Sequence, residues 1–167
     1  VSSLPLHIQL FEILGFKAPK YAHIAPLTKK ENGNVRKLSK RKDPEAAVLY
    51  YDEAGIPIEA VKLYLATIVN SNFEEWYLNN TDKKIDDFTF TFEKMATGGT
   101  LFDLDKLYNI SKTYLSKFTL EQMKDYMKEY VRNYRGADYQ MYFSDERKLD
   151  AILTVGMGLN MKKRRKD

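Results

Sequence analysis

Thr119 to Tyr134 constrains the fold more than any other stretch of the chain. Thr119 and Gln122 stand at the spacing of a capping box, in which each side chain satisfies a free backbone amide of the other. Phe118 and Met123 flank that box as a hydrophobic staple. Met123, Tyr126, Met127, Tyr130, Val131 and Tyr134 then recur at helical spacing, so one stripe of a helix is apolar for three turns. The spacing points to a packed face rather than to tyrosines free to stack on bases.

Punctuation elsewhere is also mostly helical. Ser3 with Pro5 starts a helix that puts His7, Leu10, Phe11 and Leu14 on one face, and Gly15 stops it. His7 on that face reads as a packed core histidine. Tyr21 to Leu27 reads as a short strand, with His23 in it, and Asn32-Gly33 as a tight turn. Asp43-Pro44-Glu45 opens a helix over 46–54, with Asp43 as its cap and Gly55 as its end. Pro57 opens a second helix to about Val69, with Val61, Leu65 and Ile68 on one face. A short helical piece follows over 72–78, and Trp76 is expected to anchor aromatic packing. Residues 81–100 are polar and irregular, broken at Gly98-Gly99. Asp103 and Asp105 look like paired carboxylates, but at i and i+2 they point to different faces, so Asp103 is read as the cap of a helix that ends near Leu115. Ser144 caps a last helix from Asp145 to about Leu153.

With 167 residues, 44% of them hydrophobic, the chain suits one domain or two small ones. Its apolar runs are too short for a membrane span, and its start lacks the layout of a signal peptide. Without cysteine there is neither a disulfide nor a Cys-based zinc site, and a cytoplasmic protein is the simplest reading. Val1 at the start and the unpatterned run 161–167 are read as cut ends of a longer protein.

The net charge of +4 is segregated. Residues 28–42 hold seven Lys/Arg and one acid, residues 161–167 five Lys/Arg and one acid, and the remaining body is acidic. Two positive patches on an acidic body favour a polyanion at defined places. The densest patch is Arg36 to Lys42, R-K-L-S-K-R-K. It lacks the glycines that let backbone amides cradle a phosphate, so its positive charge comes from side chains.

The stretch H-I-A-P-L followed by K-L-S-K-R resembles the KMSKS signature of class I aminoacyl-tRNA synthetases. Leu10 to Phe16, Tyr21 to Leu27, Lys37 to Arg41, Gly55 to Leu65 and Leu101 to Leu107, in that order, resemble the glutamyl-tRNA synthetase family. The resemblance is close over residues 3–115 and rests on the helical pattern alone over 116–160. It implies a mainly α chain. Residues 1–43 would carry the short β elements at the C-terminal edge of a Rossmann-like catalytic domain. Residues 44–160 would form a helical stem-contact domain, and 161–167 a basic tail or linker.

The resemblance also implies a chemistry. ATP, with Mg as its counter-ion, reacts with L-glutamate to give glutamyl-adenylate, and the glutamyl group passes to tRNA. In this family the first step requires bound tRNA. By this resemblance Lys40 and Lys37 are catalytic, as cations that steady charge building on the phosphates. Lys37, Leu38, Ser39, Lys40 and Arg41 would bind ATP, while Arg36 and Lys42 would touch tRNA, with no metal ligand from the protein. Glutamate would be held mainly by a missing N-terminal part, since neither His7 nor His23 lies in an H-x-G-H type motif. The piece by itself would be inactive and the parent monomeric. A free-standing helical RNA-binding module, using the basic loop only for phosphate contacts, is the alternative.

Overall fold

A computed structural model of the chain describes residues 2–95 and 98–156. The fold is mainly α with a small three-stranded sheet, as the helix signals predict. The basic run 161–167 lies outside the described residues. No described helix is long and apolar enough to cross a membrane.

Helix α1 (Leu4–Ile13) begins and ends at the predicted signals, with Gly15 at φ 71° stopping it. Its apolar face is not covered, however: α1 buries no residue, and His7 is exposed rather than packed in a core. Helix formation depends on residues within one turn, whereas burial needs a partner element.

The strand expected over 21–27 lies further along the chain. Strand β1 (Leu27–Glu31) pairs antiparallel with β2 (Asn34–Lys37) around Asn32 at φ 50° and Gly33 at φ 82°. Two successive positive φ values are what a two-residue hairpin requires. The register runs outward from that turn, Glu31 opposite Asn34 and Thr28 opposite Lys37, so the ladder ends just after Pro26, which has no amide to donate. Arg36 and Lys37 therefore belong to a strand, not to a loop. The third strand, β3 (Thr100–Leu101), lies parallel to β1 on its other side. Two residues carry no readable period, which is why the sequence conceals it. A Cβ at Gly99 would sit 2.8 Å from Thr28 Cγ2, so glycine is needed where the chain meets β1.

The helix expected over 46–54 is split. A 3-10 turn at Pro44–Ala46 precedes α2 (Val48–Glu53), and Asp43 makes no capping hydrogen bond because its carboxylate is engaged elsewhere. Helices α3 (Ile58–Val69) and α4 (Phe73–Asn79) match their predicted spans. In α3 the buried residues are Ala60, Val61, Leu63 and Tyr64, while Leu65 is exposed. Asp103 caps α5 (Leu104–Leu115) as predicted, accepting from Lys106 N at 3.0 Å. Both halves of the Thr119–Gln122 capping box are present, at 2.9 and 3.2 Å, at the start of α6 (Leu120–Tyr134). A short α7 (Tyr139–Phe143) leads to α8 (Glu146–Gly156). Asp145, not Ser144, caps α8, accepting from Lys148 N at 3.1 Å.

The core is centred on Tyr51, Ile56, Val61, Tyr64, Phe102 and Leu107, with Leu27 and Leu38 packed against it. A second aromatic cluster holds α4. Phe73, fully buried, stacks on Tyr77 and meets Trp76 and Phe88, so Trp76 is the expected aromatic anchor. The irregular segment after α4 is tied back by Asn70, whose side chain donates to Thr91 O at 3.0 Å.

The tyrosine stripe of α6 does more than pack. Tyr126 donates to Gly55 O at 3.2 Å, Tyr130 to Glu53 O at 2.9 Å and Tyr134 to Asp52 Oδ2 at 2.6 Å. One face of α6 thus supplies partners at the C-terminal end of α2, where helical carbonyls lack partners of their own. Burial pushes Tyr51 and Tyr126 up to about 12, and the hydrogen bond to Asp52 does the same for Tyr134.

Two outcomes follow from this packing. These tyrosines hold their protons longer when folded, so the stability they contribute is complete below pH about 10 and is lost as pH rises towards 12. Denaturant midpoints recorded from pH 8 to 12.5, with tyrosinate absorbance followed in parallel, should fall across that window; a flat profile contradicts the assigned contacts. Separately, Thr119→Ala should destabilise the chain by ~1 kcal/mol in urea unfolding, the usual worth of an N-cap.

Candidate functional site

The basic run is built on the β hairpin. Asn32-Gly33 places Lys29 opposite Arg36, so two cations of neighbouring strands stand side by side. Like charges facing each other across a ladder repel, and here a set of acids intervenes. Asp43 takes Arg36 in a two-pronged contact, Nη1 to Oδ2 at 2.6 Å and Nη2 to Oδ1 at 2.8 Å. Glu31 takes Arg36 Nε at 2.7 Å from the other side. Lys29 donates to Glu45 and lies 3.5 Å from Asp43 Oδ1. The planar fork of arginine suits this double engagement in a way that lysine cannot match.

Asp43 is 2% exposed, and a buried carboxylate is tolerated only when charge and hydrogen bonds compensate it. Arg36 first, and then the Ser39 amide at 2.8 Å, hold its carboxyl well below the usual carboxylate range. Arg36 likewise lowers Glu31, and the hydrogen bond to Glu45 raises Lys29. Asp43, Glu31, Arg36 and Lys29 are thereby all held in their charged forms at neutral pH.

Past this cluster the chain turns sharply. Lys42 N and Asp43 N both donate to Ser39 O, at 3.0 and 2.8 Å. Leu38 anchors the near end, its amide donating to Leu27 O at 2.8 Å and its side chain lying against the core. Lys40, Arg41 and Lys42 ride on the turn, and Lys37 precedes it; all four are exposed. Among the described residues none of these four is in a salt bridge, whereas Arg36 is held by Asp43 and Glu31. Paired cations thus shape the site and unpaired cations face outward, a suitable surface for a polyphosphate.

Lys37, Leu38 and Lys40 also come together at a cavity of about 350 Å³, with Glu45, Tyr51 and Phe102 in its lining. Ser39 and Arg41 are not part of that lining, and His23 is exposed on the irregular stretch before β1. No group of three or more His, Asp or Glu among the described residues could hold a metal ion.

Sequence reasoning misses Lys29, Glu31, Asp43 and Glu45 as parts of this site. The hairpin signal at Asn32-Gly33 contains the register that pairs Lys29 with Arg36. The role of Asp43 has no comparable signal, since Asp before Pro reads equally well as a helix cap.

No family model matches the chain. Among curated proteins it is similar to a glutamate–tRNA ligase from Acetivibrio thermocellus, 44% identical over 167 residues, which is 100% of this chain and 30% of that protein. A glutamate–tRNA ligase from Clostridium perfringens is 43% identical over 155 residues, 93% of this chain and 28% of that protein. One from Sorangium cellulosum is 42% identical over 137 residues, 74% of this chain and 24% of that protein. The chain thus spans less than a third of the length of these relatives. Homology that runs through the hairpin, the K-L-S-K-R turn and the helices that carry them places this chain in the glutamate–tRNA ligase family.

Proposed function

We propose that this chain is the part of a glutamate–tRNA ligase that supplies the phosphate-binding K-L-S-K-R turn and tRNA-contacting helices. The observation that carries the reading is 44% identity over the whole chain to a protein of that name, with the turn's cations exposed and, among the described residues, in no salt bridge. Residues 1–43 form the edge of the catalytic domain, 44–160 the stem-contact helices and 161–167 a basic tail. Glutamate is bound mainly by parts of such an enzyme that this chain does not match. The whole enzyme is cytoplasmic and monomeric on this reading, and this segment alone does not catalyse the ligation.

In the first step a glutamate carboxylate oxygen attacks the α-phosphorus of ATP. The bond to the bridging oxygen breaks, and pyrophosphate leaves with the electron pair. Negative charge therefore builds on the β- and γ-phosphates as the transition state forms. Lys40, with Lys37 in support, offsets that charge through its ammonium group. This is electrostatic stabilisation by a placed cation, not proton transfer. Ser39 and Arg41 complete the ATP contact, and Leu38 keeps the turn seated on the core. Magnesium enters as the nucleotide's counter-ion. In the second step the terminal ribose hydroxyl of tRNA attacks the acyl carbon and AMP leaves. Of the two cations assigned to tRNA, Lys42 is the exposed one, while Arg36 is held within the protein by Asp43 and Glu31.

The test uses a ligase in which residues 1–167 replace the matching segment of the Acetivibrio thermocellus enzyme. Lys40→Ala should slow ATP–pyrophosphate exchange about 100-fold, the usual loss for one electrostatic contact to a transition state. The KM for glutamate should stay within about twofold, because that contact is absent from the ground state. An unchanged exchange rate would remove Lys40 from the chemistry. RNA binding that falls with salt, without any ATP dependence, would favour a plain RNA-binding module.

A further inference from the structure

The K-L-S-K-R turn and the lysine that follows it carry exposed positive charge on four side chains within six residues, Lys37 to Lys42, and such a run repels itself. A turn of that composition should be open and variable, yet here it is closed. The group that closes it is Asp43. We propose that Asp43 is the positioning residue of the turn, setting where Lys40 stands during the ATP-dependent step. This inference rests on the phosphate-binding reading above.

Three observations carry it. First, both carboxylate oxygens are used. Oδ2 accepts from Arg36 Nη1 at 2.6 Å and from the Ser39 amide at 2.8 Å, while Oδ1 accepts from Arg36 Nη2 at 2.8 Å with Lys29 Nζ 3.5 Å away. Second, the backbone of Asp43 returns to the same place, its amide donating to Ser39 O at 2.8 Å. Ser39 is therefore gripped at N–H and C=O by one residue, and Lys40, Arg41 and Lys42 are strung between those grips. Third, the anchor is rigid. Arg36 sits in β2, and Lys29 in β1 joins Asp43 to Glu45, whose carbonyl accepts from the buried Tyr51 hydroxyl.

Only a carboxylate fits this arrangement. An asparagine at 43 would keep the size but present an NH2 group where one oxygen now accepts, setting donor against donor. A glutamate would reach one carbon further and shift the grip on Ser39. Placement matters because a displacement of about 1 Å in a catalytic group can cost on the order of 100-fold in rate.

The experiment uses the same chimeric ligase, assayed by ATP–pyrophosphate exchange with tRNA and glutamate saturating. Asp43→Asn should lower the rate at saturating ATP about tenfold, and a separate glutamate titration should give a KM within about twofold of the parent. Arg36→Lys, which keeps the charge but loses the fork, should lower it in the same way, though less. The decisive arm combines each variant with Lys40→Ala. A residue that acts through Lys40 adds no more than about a twofold further loss in that background, because the cation it places is already gone. Losses that multiply in the double variants, or single variants with unchanged exchange, overturn the proposal. If Asp43→Asn melts below the assay temperature, the Arg36→Lys arm decides by the same criterion. An inert Lys40→Ala would instead overturn the phosphate-binding reading, and this inference with it.

Discussion

Tyr64, with no exposed surface, stands where the separate parts of this chain meet. Its ring meets Phe102 edge to face at 5.4 Å, and its hydroxyl accepts the Asp103 amide at 2.6 Å. Phe102 N in turn donates to Thr28 O at 2.7 Å. One side chain of α3 thereby reaches the start of α5, and through Phe102 it reaches the central strand β1. A buried hydroxyl without a partner would be costly, so the Asp103 amide sets the approach of α3 to α5 closely. The hairpin is seated on this junction through Leu27 and Leu38, which pack on the cluster containing Tyr64. The basic turn is thus held over the core.

On that base the ionic cluster divides the cations of residues 28–42 into two kinds. Lys29 and Arg36 are engaged by Asp43, Glu45 and Glu31. Lys30, Lys37, Lys40, Arg41 and Lys42 stay exposed. The excess of seven basic residues over one acid in this stretch is therefore a poor guide to the charge available to a ligand. Asp43 and Glu45, just outside the stretch, fold back against it. Exposed pairs of this sort contribute little to stability as a rule, but a carboxylate at 2% exposure that takes two prongs of an arginine is not of that class.

Much of the fold is legible in the chain for a local reason. The capping box of α6, the Asp103 cap of α5, the Gly15 stop of α1 and the Asn32-Gly33 turn each depend on residues at most a few positions apart. Errors arise where local signals allow two outcomes. Ser144 and Asp145 are both good caps, and the amide geometry selects Asp145. Asp43 before Pro44 resembles a cap until Arg36, seven residues back, takes its carboxylate. Strand β1 falls after Pro26 because the hairpin register, not the apolar content of residues 21–27, decides which amides find partners.

By itself the sequence determined the mainly helical class, the extents of most helices, the hairpin turn and the family-like K-L-S-K-R run. Those features are written in hydrogen bonds and φ angles that a few neighbouring residues control. Only the tertiary structure decided that α1 leaves its apolar face open and that β3 joins the sheet. It alone turned the α6 tyrosines onto the end of α2, as with Tyr134 and Asp52, 82 positions apart. The same holds for Asp43 beneath the turn. Burial and ion pairing depend on which distant surfaces meet, and the spacing of residues along the chain carries no record of that.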